Sequence, residues 1–244
     1  MASPWIDPAQ PDAAWESAAP PRLVAWALER FRHQRMVLTT SFGMEGCALI
    51  DMVAGHGVPL DVVYLDTMFL FPETYALRDR MAARYPHLAF VNRGTTLEPE
   101  AQAEQYGAEL WRHDPDRCCA IRKVEPMQSA LAGADVWLTG LMRIQSPSRS
   151  ALPVVTWDWQ YQVLKVSPLA SWDRARVWDY VQRHGVPYNP LHERGYPTVG
   201  CTHCTAPVAG SVPGEYSRAG RWSGTSKTEC GLHYTAQGTI ERKV

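Results

Sequence analysis

A lone cysteine near the C-terminus has the surroundings of a nucleophile. Cys230 has Lys227 three residues before it and His233 three residues after it. The run SGTS at residues 223–226 is small and polar and predicts an exposed, mobile segment. An exposed thiol close to cationic groups is more readily ionised and reactive. Cys230 is therefore predicted to attack a ligand that the rest of the chain holds.

Four further cysteines fall into two pairs that could bind a metal centre. Cys118 and Cys119 are adjacent, whereas Cys201 and Cys204 have the Cys-x-x-Cys spacing. Two adjacent cysteines reach one tetrahedral ion only with strain, but the separate corners of a four-iron cluster would accommodate both. Coincidental free thiols are the plainer alternative. Cys47 is expected to be buried on the apolar face of a helix.

Basic residues at several places could hold an anion. In a helix that runs from Cys118, Lys123 lies four residues after Cys119 and on the same face, close to any bound cluster. Planar guanidinium groups match the geometry of phosphate and sulfate. One pair of arginines follows the fourth predicted strand, and a second pair precedes Cys230. These arginines are Arg143, Arg149, Arg218 and Arg221. A solvated surface position is the usual alternative for each of these basic residues.

Composition and charge limit the classes of function. The chain has 244 residues, of which 45% are hydrophobic and 20% charged, as in a soluble globular α/β domain. The formal net charge of −1 gives no support for nucleic-acid binding. No apolar run approaches the ~20 residues of a membrane span. The first 21 residues lack the features of a secretory signal, so we expect a cytoplasmic protein with few disulfides.

Apolar patterning predicts strands that alternate with helices. Strands are expected at residues 36–40, 60–65, 88–91, 136–138, 154–155 and 163–166. Helices are expected at residues 22–32, 47–54, 72–85 and 171–184, the last with Ser171 as its N-cap. The alternation predicts an α/β fold with a doubly wound, mostly parallel sheet. Ligands bind such sheets at the carboxyl ends of the strands, so residues 39–45, 66–67 and 140–149 should face one crevice.

The loop after the first strand is a candidate anion site. Residues 41–45, SFGME, join this strand to a helix, and backbone N–H groups at a helix N-terminus attract negative charge. The loop lacks the Gly-Lys-Ser/Thr ending of a Walker A loop. An ordinary turn is the equal alternative.

The ordered set of motifs resembles the assimilatory adenylyl-sulfate reductases and the related phosphoadenylyl-sulfate reductases. The resemblance spans residues 23–233 and rests on TTSFG at 39–43, LDT at 65–67, CC-x-x-RK at 118–123, the run 140–149, GC-x-x-CT at 200–205, R-x-GRW at 218–222 and ECGLH at 229–233. The two cysteine pairs mark the branch that carries a [4Fe–4S] cluster and prefers adenosine 5′-phosphosulfate. The implied fold is of the adenine nucleotide alpha hydrolase-like (PP-loop) type, with a C-terminal cluster-binding and catalytic tail.

The resemblance also implies a mechanism and a set of site residues. The Cys230 thiolate attacks the sulfur of adenosine 5′-phosphosulfate, AMP leaves, and thioredoxin or a similar dithiol releases sulfite from the S-sulfocysteine. The implied cluster ligands are Cys118, Cys119, Cys201 and Cys204. The implied substrate-binding residues are Thr39, Ser41, Phe42, Gly43, Leu65, Asp66, Thr67, Lys123, Gly140, Arg143, Arg149, Arg218, Arg221 and His233.

The expected organisation has three parts. Residues 1–21 form a flexible lead-in, residues 22–210 a nucleotide-binding α/β domain that carries the cluster, and residues 211–244 a mobile C-terminal catalytic segment. The chain departs from the family's Gly-x-Arg-Arg-x-Gln-Ser motif, because Met142 replaces the first arginine. One phosphate contact or salt bridge is therefore expected to be missing. His203 stands where proline is common, and the sequence leaves a homo-oligomer open.

Three other functions remain open at this point. The same chemistry on 3′-phosphoadenosine 5′-phosphosulfate would require an additional cationic pocket for the 3′-phosphate. An ATP-dependent tRNA-thiolating enzyme can share the fold and a cluster, but Phe42 interrupts the loop that such an enzyme needs, and the net charge of −1 counts against it. A zinc-stabilised nucleotide sensor without turnover is the third, and elemental analysis would separate iron from zinc.

Overall fold

Six short strands form the sheet at the centre of the protein. The structure is a computed structural model that describes residues 13–225 and 227–233. The strands are β1 Met36–Thr40, β2 Leu60–Tyr64, β3 Leu88–Asn92, β4 Val136–Thr139, β5 Val155–Asp158 and β6 Val163–Val166. Their order is β3-β2-β1-β4-β6-β5, and every neighbouring pair is parallel except β5 with β6. The predicted mostly parallel sheet is confirmed.

Helices occupy most connections between the strands. The α-helices are α1 Ala13–Glu16, α2 Pro20–Arg30, α3 Met44–Ala54, α4 Pro72–Arg84, α5 Pro99–Tyr106, α6 Leu110–His113, α7 Pro115–Cys119, α8 Glu125–Leu131 and α9 Arg174–Arg183. Short 3₁₀ turns follow at Arg143–Gln145, Pro147–Arg149, Pro190–Arg194 and Thr202–Cys204. Across residues 13–225 and 227–233, no helix has the length and apolar character that crossing a membrane requires.

Two apolar clusters cover the two faces of the sheet. Successive side chains of a strand point to opposite faces. Leu38 and Val62 accordingly belong to a cluster with α2, α3, α4 and α9, whereas Val37 and Val63 pack with Met127 of α8. Burial on both faces explains why the strands read as almost continuous apolar runs.

The last long helix begins later than the sequence predicts. α9 starts at Arg174, and the Asp173 carboxylate caps it by accepting a hydrogen bond of 2.8 Å from the Arg176 N–H. Ser171 is therefore not the N-cap. A carboxylate at this position also matches the positive end of the helix dipole.

The helix predicted to run from Cys118 is interrupted by a wider turn. α7 continues into a π-helical turn at Ala120–Val124, and α8 follows directly. Pro126 explains the change, because a proline in a regular α-helix clashes with the carbonyl four residues earlier, here that of Arg122. A π turn before the proline avoids that clash.

The described part of the predicted lead-in packs against the domain. The rings of Trp15 and Trp26 have centroids 4.3 Å apart, and the Glu16 carboxylate accepts a 3.0 Å hydrogen bond from the Val154 N–H. Pro20 is buried at the start of α2. Trp15, Glu16 and Pro20 are therefore packed against the fold, in contrast to the predicted flexible lead-in. Residues 1–12 lie outside the described residues.

The C-terminal segment is also packed against the domain. The Ala206 N–H donates to the Gly220 carbonyl at 2.8 Å, and a Cβ on Gly220 would lie only 2.1 Å from the Ala206 oxygen. Trp222 is buried immediately afterwards. The predicted mobility of residues 211–244 stays a prediction, and Ser226 and residues 234–244 lie outside the described residues.

Candidate active site

One cavity of about 220 Å³ lies at the carboxyl ends of the parallel strands. The sheet winds in opposite directions from β1 and β4, so the loops that follow these strands separate and leave a crevice. Most of the predicted site residues line this cavity. They are Thr39, Ser41, Phe42, Gly43, Leu65, Thr67, Lys123, Gly140, Arg149, Arg218, Arg221, Cys230 and His233.

The loop between β1 and α3 is shaped by close backbone contacts. Phe42 has a φ of 56°, in the left-handed region, and its N–H donates to the Thr40 hydroxyl at 2.9 Å. Its ring is buried, with its centroid 5.5 Å from that of Tyr64, so Phe42 also belongs to the core. A Cβ on Gly46 would lie 2.5 Å from the Thr40 hydroxyl oxygen, and a Cβ on Gly140 would lie 3.2 Å from the α3 backbone. The two glycines therefore allow the ends of β1 and β4 to meet the start of α3.

Arg143 is directed away from the cavity, in contrast to the prediction. It forms an ion pair with Glu16, and its Nε donates to the Leu152 carbonyl at 2.8 Å. Met142, which replaces the usual first arginine, is fully buried in the apolar core. Arg149 lines the cavity, but neither position of the two-arginine motif does.

Asp66 also lies outside the cavity lining and instead shapes the loop after β2. Its Oδ1 accepts hydrogen bonds of 2.8 Å from the Met68 N–H and from the Tyr75 hydroxyl. Burial, followed by the hydrogen bond to Asp66, raises the pKa of Tyr75 to about 12. Leu65 and Thr67, on either side of Asp66, do reach the cavity.

The four predicted cluster ligands line a second, smaller cavity: Cys118, Cys119, Cys201 and Cys204. The Thr202 N–H donates to the Phe69 carbonyl at 2.8 Å, which ties the Cys-x-x-Cys turn to the loop after β2. Among the described residues, no three Cys, His, Asp or Glu side chains converge closely enough to hold one metal ion. A four-iron cluster places each thiolate on a separate iron, so it accepts a wider set of sulfurs than a single ion does.

Burial controls the protonation of these thiols in the absence of metal. It raises the pKa of Cys118 to about 11 and that of Cys119 to about 12. Burial also opposes ionisation of Cys201, but Lys123 and the Thr67 hydroxyl outweigh it and lower the pKa of this thiol. The Thr67 Oγ1 lies 3.3 Å from the Cys201 sulfur. Metal binding would displace protons from Cys118 and Cys119 and favour the thiolates.

Lys123 connects the two cavities, because its side chain lines both. Burial alone would lower the pKa of Lys123, but the negative charge of nearby thiolates, that of Cys201 first, raises it. Lys123 therefore keeps a positive charge between the cysteine pairs and the candidate nucleophile. The predicted position of this cation next to Cys119 is observed, although a π turn, not an α-helix, carries it.

Arg122 is a second cation beside the cysteines, and sequence spacing did not single it out. Its Nε donates to the Gln102 amide oxygen at 2.7 Å and its Nη1 donates to the Thr67 carbonyl at 2.9 Å. Its Nη2 is buried and has no hydrogen-bond partner within the described part of the chain. Arg122 lines the small cavity of the four cysteines, so this unpaired donor is available to a sulfur ligand.

Aromatic rings also line the small cavity of the four cysteines. The His203 ring stacks on Trp111 with a centroid distance of 3.8 Å and an interplanar angle of 8°, and Phe69 meets His203 edge to face at 4.9 Å. Burial lowers the pKa of His203, so this imidazole favours its neutral form. A flat, neutral ring can therefore replace the proline that is common between the cluster cysteines.

Cys230 is half-buried at the main cavity, and its neighbour Glu229 joins two arginines there. The Glu229 Oε2 accepts a 2.8 Å hydrogen bond from Arg149 and lies 3.5 Å from an Nη of Arg218. Arg218 also donates to the Thr228 carbonyl at 2.8 Å. These contacts hold the C-terminal segment, with its thiol, against the cavity.

The residues after Cys230 dock on the sheet. The Tyr161 hydroxyl donates to the Leu232 carbonyl at 3.2 Å. The His233 ring stacks on Trp137, with centroids 5.3 Å apart. Because Trp137 lies on β4, the segment that carries the thiol is anchored on both sides of Cys230.

The two basic residues that flank Cys230 in the sequence have separate environments. Lys227 forms an ion pair with Asp116 of α7. Burial, followed by the charge of Lys165, lowers the pKa of His233 well below its usual range. His233 is therefore neutral, and neither residue is an ion-pair partner of the thiol in this structure.

Three buried titratable residues at the cavity have no predicted role, although Glu45 belongs to the loop that was expected to face the crevice: Glu45, Arg174 and His192. The Arg174 Nη1 donates to the Glu45 Oε1 at 2.5 Å. His192 lines the cavity from the 3₁₀ turn Pro190–Arg194. Glu45 and Arg174 are 129 residues apart, and no local pattern marks that pairing. An arginine in the first turn of α9, where positive charge is unfavourable, is the one signal that the sequence contains.

Comparison with known proteins agrees with this geometry. The model of the phosphoadenosine phosphosulfate reductase domain matches residues 35–207. A protein of Lysinibacillus sphaericus named adenosine 5′-phosphosulfate reductase is 43% identical over 86% of this chain and 89% of its own length. A protein of Gloeobacter violaceus named phosphoadenosine 5′-phosphosulfate reductase is 44% identical over 90% of both chains.

Solved structures extend the comparison to the fold. The phosphoadenylyl-sulfate reductase of Candida auris, in a phosphate complex, superposes with a TM-score of 0.70 and 31% identity over 83% of this chain and 98% of its own. The FMN adenylyltransferase of Candida glabrata shares only the fold, with a TM-score of 0.55 and 14% identity over 82% of this chain and 73% of its own. The expected fold type is thus confirmed, and the chain belongs to the phosphoadenosine phosphosulfate reductase domain family.

Proposed function

We propose that this protein reduces adenosine 5′-phosphosulfate to sulfite and AMP in sulfate assimilation. The observation that carries the proposal is the position of Cys230 in one cavity with strand-end loops and with cations from three different segments. These cations are Lys123, Arg149, Arg218 and Arg221. The name of the Lysinibacillus relative supports the same substrate.

The first step transfers the sulfonate group to the protein. The Cys230 thiolate attacks the sulfur of the phosphosulfate, a sulfur–sulfur bond forms, and the sulfur–oxygen bond to the phosphate breaks. AMP leaves with the electron pair of the broken bond, and no strong general acid is required because phosphate is a good leaving group. The cavity cations offset the repulsion between the thiolate and the anionic substrate.

The second step releases sulfite and uses an external dithiol of the thioredoxin class. One thiolate of the dithiol attacks the Cys230 sulfur, and sulfite leaves with the electron pair of the sulfur–sulfur bond. The second thiol then attacks the mixed disulfide, closes the disulfide of the partner and regenerates the Cys230 thiolate. The two electrons of the reduction thus come from the dithiol. Such dithiols are kept reduced in the cytoplasm, where we place the protein.

The cysteine pairs are proposed to hold a [4Fe–4S] cluster. Three observations fit this group: four thiols line one cavity, Arg122 offers it an unpaired donor, and Lys123 lies between it and the main cavity. When bound, the cluster supplies fixed negative charge and holds the two cysteine-bearing segments together. Lys123 would be held and oriented by that charge and would present its ammonium group to the substrate anion.

Mass spectrometry and turnover test the proposed function together. The intact protein incubated with adenosine 5′-phosphosulfate alone is expected to gain one sulfonate on Cys230, and incubation with AMP is the control. Cys230→Ser is expected to lose sulfite formation at least about a thousandfold while its visible absorption stays unchanged. Cys47→Ala, which removes a fully buried thiol of the core, is the matched control and retains turnover. Turnover by the Cys230→Ser protein, or no adduct when substrate is bound, would reject the mechanism.

A further inference from the structure

His192 lines the main cavity and has an unused hydrogen-bond acceptor. The residue is 2% exposed and lines the cavity from the 3₁₀ turn Pro190–Arg194. Its Nδ1 lies 2.7 Å from the Tyr196 carbonyl, an acceptor, so Nδ1 carries the proton. Its Nε2 is buried and has no partner among residues 13–225 and 227–233. Because one nitrogen of a neutral imidazole is a donor, the other must accept, and Nε2 is that acceptor.

The protonation state of His192 supports this assignment. Burial, followed by the charge of Arg174, lowers the pKa of His192 to about 4. The ring is therefore neutral near neutral pH and cannot attract an anion. A buried acceptor without a partner is costly, which makes a ligand donor the natural partner for Nε2.

Glu45 supplies a second acceptor next to His192. One oxygen of its carboxylate accepts from Arg174 Nη1, and the neighbouring Nη2 lies 3.4 Å from the imidazole Nδ1. The guanidinium group thus lies beside both side chains, but only its contact with Glu45 is a hydrogen bond, because the protonated Nδ1 cannot accept from Nη2. Burial opposes ionisation of Glu45, but Arg174 and the backbone N–H of Glu45 itself lower the pKa, so the carboxylate is charged.

Arg174 is fully engaged by the protein and is not available to a ligand. Besides Glu45, it donates from Nη2 to the Pro197 carbonyl at 3.0 Å and from Nε to the Pro213 carbonyl at 3.1 Å. It therefore connects the first turn of α3 to the backbone at Pro197 and Pro213. Glu45 and His192 therefore add acceptors to the wall of the cavity that the four cations listed above also line.

We propose that Glu45 and His192 form an acceptor pair for the ribose hydroxyl groups of the nucleotide, and that this pair selects a free 3′-hydroxyl over a 3′-phosphate. The assignment rests on the proposed function, because it takes an adenosine phosphosulfate as the ligand. A ribose diol offers two donors on adjacent carbons, which matches two adjacent acceptors. The adenine amino group is a poorer match, since the ring nitrogen beside it would turn a lone pair towards the carboxylate.

The same pair disfavours a 3′-phosphate for two reasons. A phosphate monoester carries a charge of about −1.5 to −2 at neutral pH and offers almost no proton for donation. It would also meet the charged Glu45, while the nearby guanidinium of Arg174 is already occupied. The 3′-phosphorylated substrate keeps only its 2′-hydroxyl donor and would leave one of the two acceptors without a ligand donor, and a site with an unpaired buried acceptor discriminates strongly.

Binding of nucleotides to the intact, cluster-containing protein tests the pair. Calorimetry would compare AMP with 3′-deoxy-AMP, 2′-deoxy-AMP, the 5′-phosphate of purine riboside and adenosine 3′,5′-bisphosphate. The wild type is expected to bind AMP about tenfold more tightly than at least one deoxy nucleotide and than the bisphosphate. Equal or tighter binding of the bisphosphate would overturn the proposed selection.

Variants of His192 identify the acceptor. His192→Phe is expected to bind AMP about tenfold more weakly than the wild type but to bind the sensitive deoxy nucleotide equally well. His192→Gln, whose amide oxygen can replace Nε2, is expected to recover part of the AMP affinity. Glu193→Gln changes an exposed residue of the same turn and is the matched control. The ribose assignment is wrong if His192→Phe weakens AMP and both deoxy nucleotides equally, or if the lost discrimination concerns the purine amino group.

The design separates this inference from the proposed function. Adduct formation at Cys230 and turnover of adenosine 5′-phosphosulfate by the wild type report the function alone. If the wild type forms sulfite but the His192 variants leave AMP affinity unchanged, only the acceptor pair is refuted. If the wild type forms neither adduct nor sulfite, the function itself is refuted. If His192→Phe does not fold, the comparison of AMP with the deoxy nucleotides and the bisphosphate on the wild type decides the proposal.

Discussion

Glu229 occupies the groups that the substrate anion is proposed to need. Its carboxylate accepts from Arg149 at 2.8 Å and approaches Arg218 at 3.5 Å, directly beside Cys230. Its second oxygen is buried without a hydrogen-bond partner in the described ranges. A phosphosulfate must therefore compete with this carboxylate for both guanidinium groups. We predict that Glu229→Gln, which keeps the shape and removes the charge, raises the affinity for AMP.

The distances and the exposure of the three charged side chains set the size of the expected gain in AMP affinity. One unit charge at about 4 Å from another contributes about 4 kcal/mol at an effective dielectric constant of 20, before the cost of desolvation. The side chains of Glu229, Arg149 and Arg218 are 24%, 12% and 22% exposed, between a surface pair and a buried pair. Surface pairs contribute about 0.2–1 kcal/mol net, and burial increases the loss when one partner is removed. If pairing with Glu229 weakens AMP binding by about 1.4 kcal/mol, its removal makes the Kd for AMP tenfold lower.

Calorimetric titration of AMP into the intact protein measures the predicted gain in affinity. Glu229→Asp keeps the charge and is expected to stay within about threefold of the wild type, since the pairing is weakened but retained. Glu215→Gln removes an exposed carboxylate of the same C-terminal segment and controls for net charge. The gain in Glu229→Gln should shrink as salt is added, because the freed guanidinium groups then meet screened anions.

An AMP affinity that does not rise in Glu229→Gln would contradict the prediction. If Glu229→Gln folds with unchanged visible absorption and binds AMP no more tightly than the wild type, the carboxylate does not compete with the ligand. A weaker affinity would show that Glu229 orients Arg149 and Arg218 for the substrate. Either result would refute the idea that the carboxylate is an internal substitute for the anion.

Further predictions concern the cation between the cavities, a buried ion pair, acid stability and the docked segment. Lys123→Met should lower kcat/KM for adenosine 5′-phosphosulfate about a hundredfold more than Lys123→Arg does, because only arginine keeps the charge. Asp158→Ala leaves Lys165 buried without its partner at 3.0 Å, so urea titration should show a loss of about 3–5 kcal/mol. The fold lowers the pKa of His192 from 6.5 to about 4, so between these two pH values the unfolded chain binds a proton that the folded chain does not. The free energy of unfolding should therefore fall on acidification from about pH 6.5 to 4, and less steeply in His192→Gln. Tyr161→Phe loses the 3.2 Å hydrogen bond to the C-terminal segment, and alkylation of Cys230 by iodoacetamide should become about two- to tenfold faster; an unchanged rate would show that this contact does not hold the segment.

The sequence predicts the positions of strand-end residues well, because the physics behind them is local. Apolar runs specify β1 and β4, and their carboxyl ends must lie at one edge of a parallel sheet. Thr39, Gly43 and Gly140 therefore reach the cavity as predicted. The same local information limits the prediction for helix starts, where Asp173 and Ser171 are both acceptable caps and only the packed structure selects between them.

The direction of the arginine side chains could not be predicted from the local sequence. Arg143 and Arg149 follow the same strand, and both were predicted to reach the substrate. Glu16, 127 residues before Arg143, draws that guanidinium away, whereas Glu229 in the C-terminal segment pairs with Arg149. The direction of a long, flexible side chain depends on partners that are distant in sequence, so motif position alone cannot assign it.

The distribution of charge within the cavity explains why the net charge of the chain was a poor guide to its ligand. A formal charge of −1 excludes neither a local group of cations nor a local group of acceptors. The structure places Lys123 and Arg149 in the same cavity as the acceptors Glu45 and His192. A ligand that carries both an anion and hydroxyl donors can contact both sets at once. If the anion binds the cations beside Cys230, recognition of the uncharged sugar would contribute to positioning the sulfur for attack.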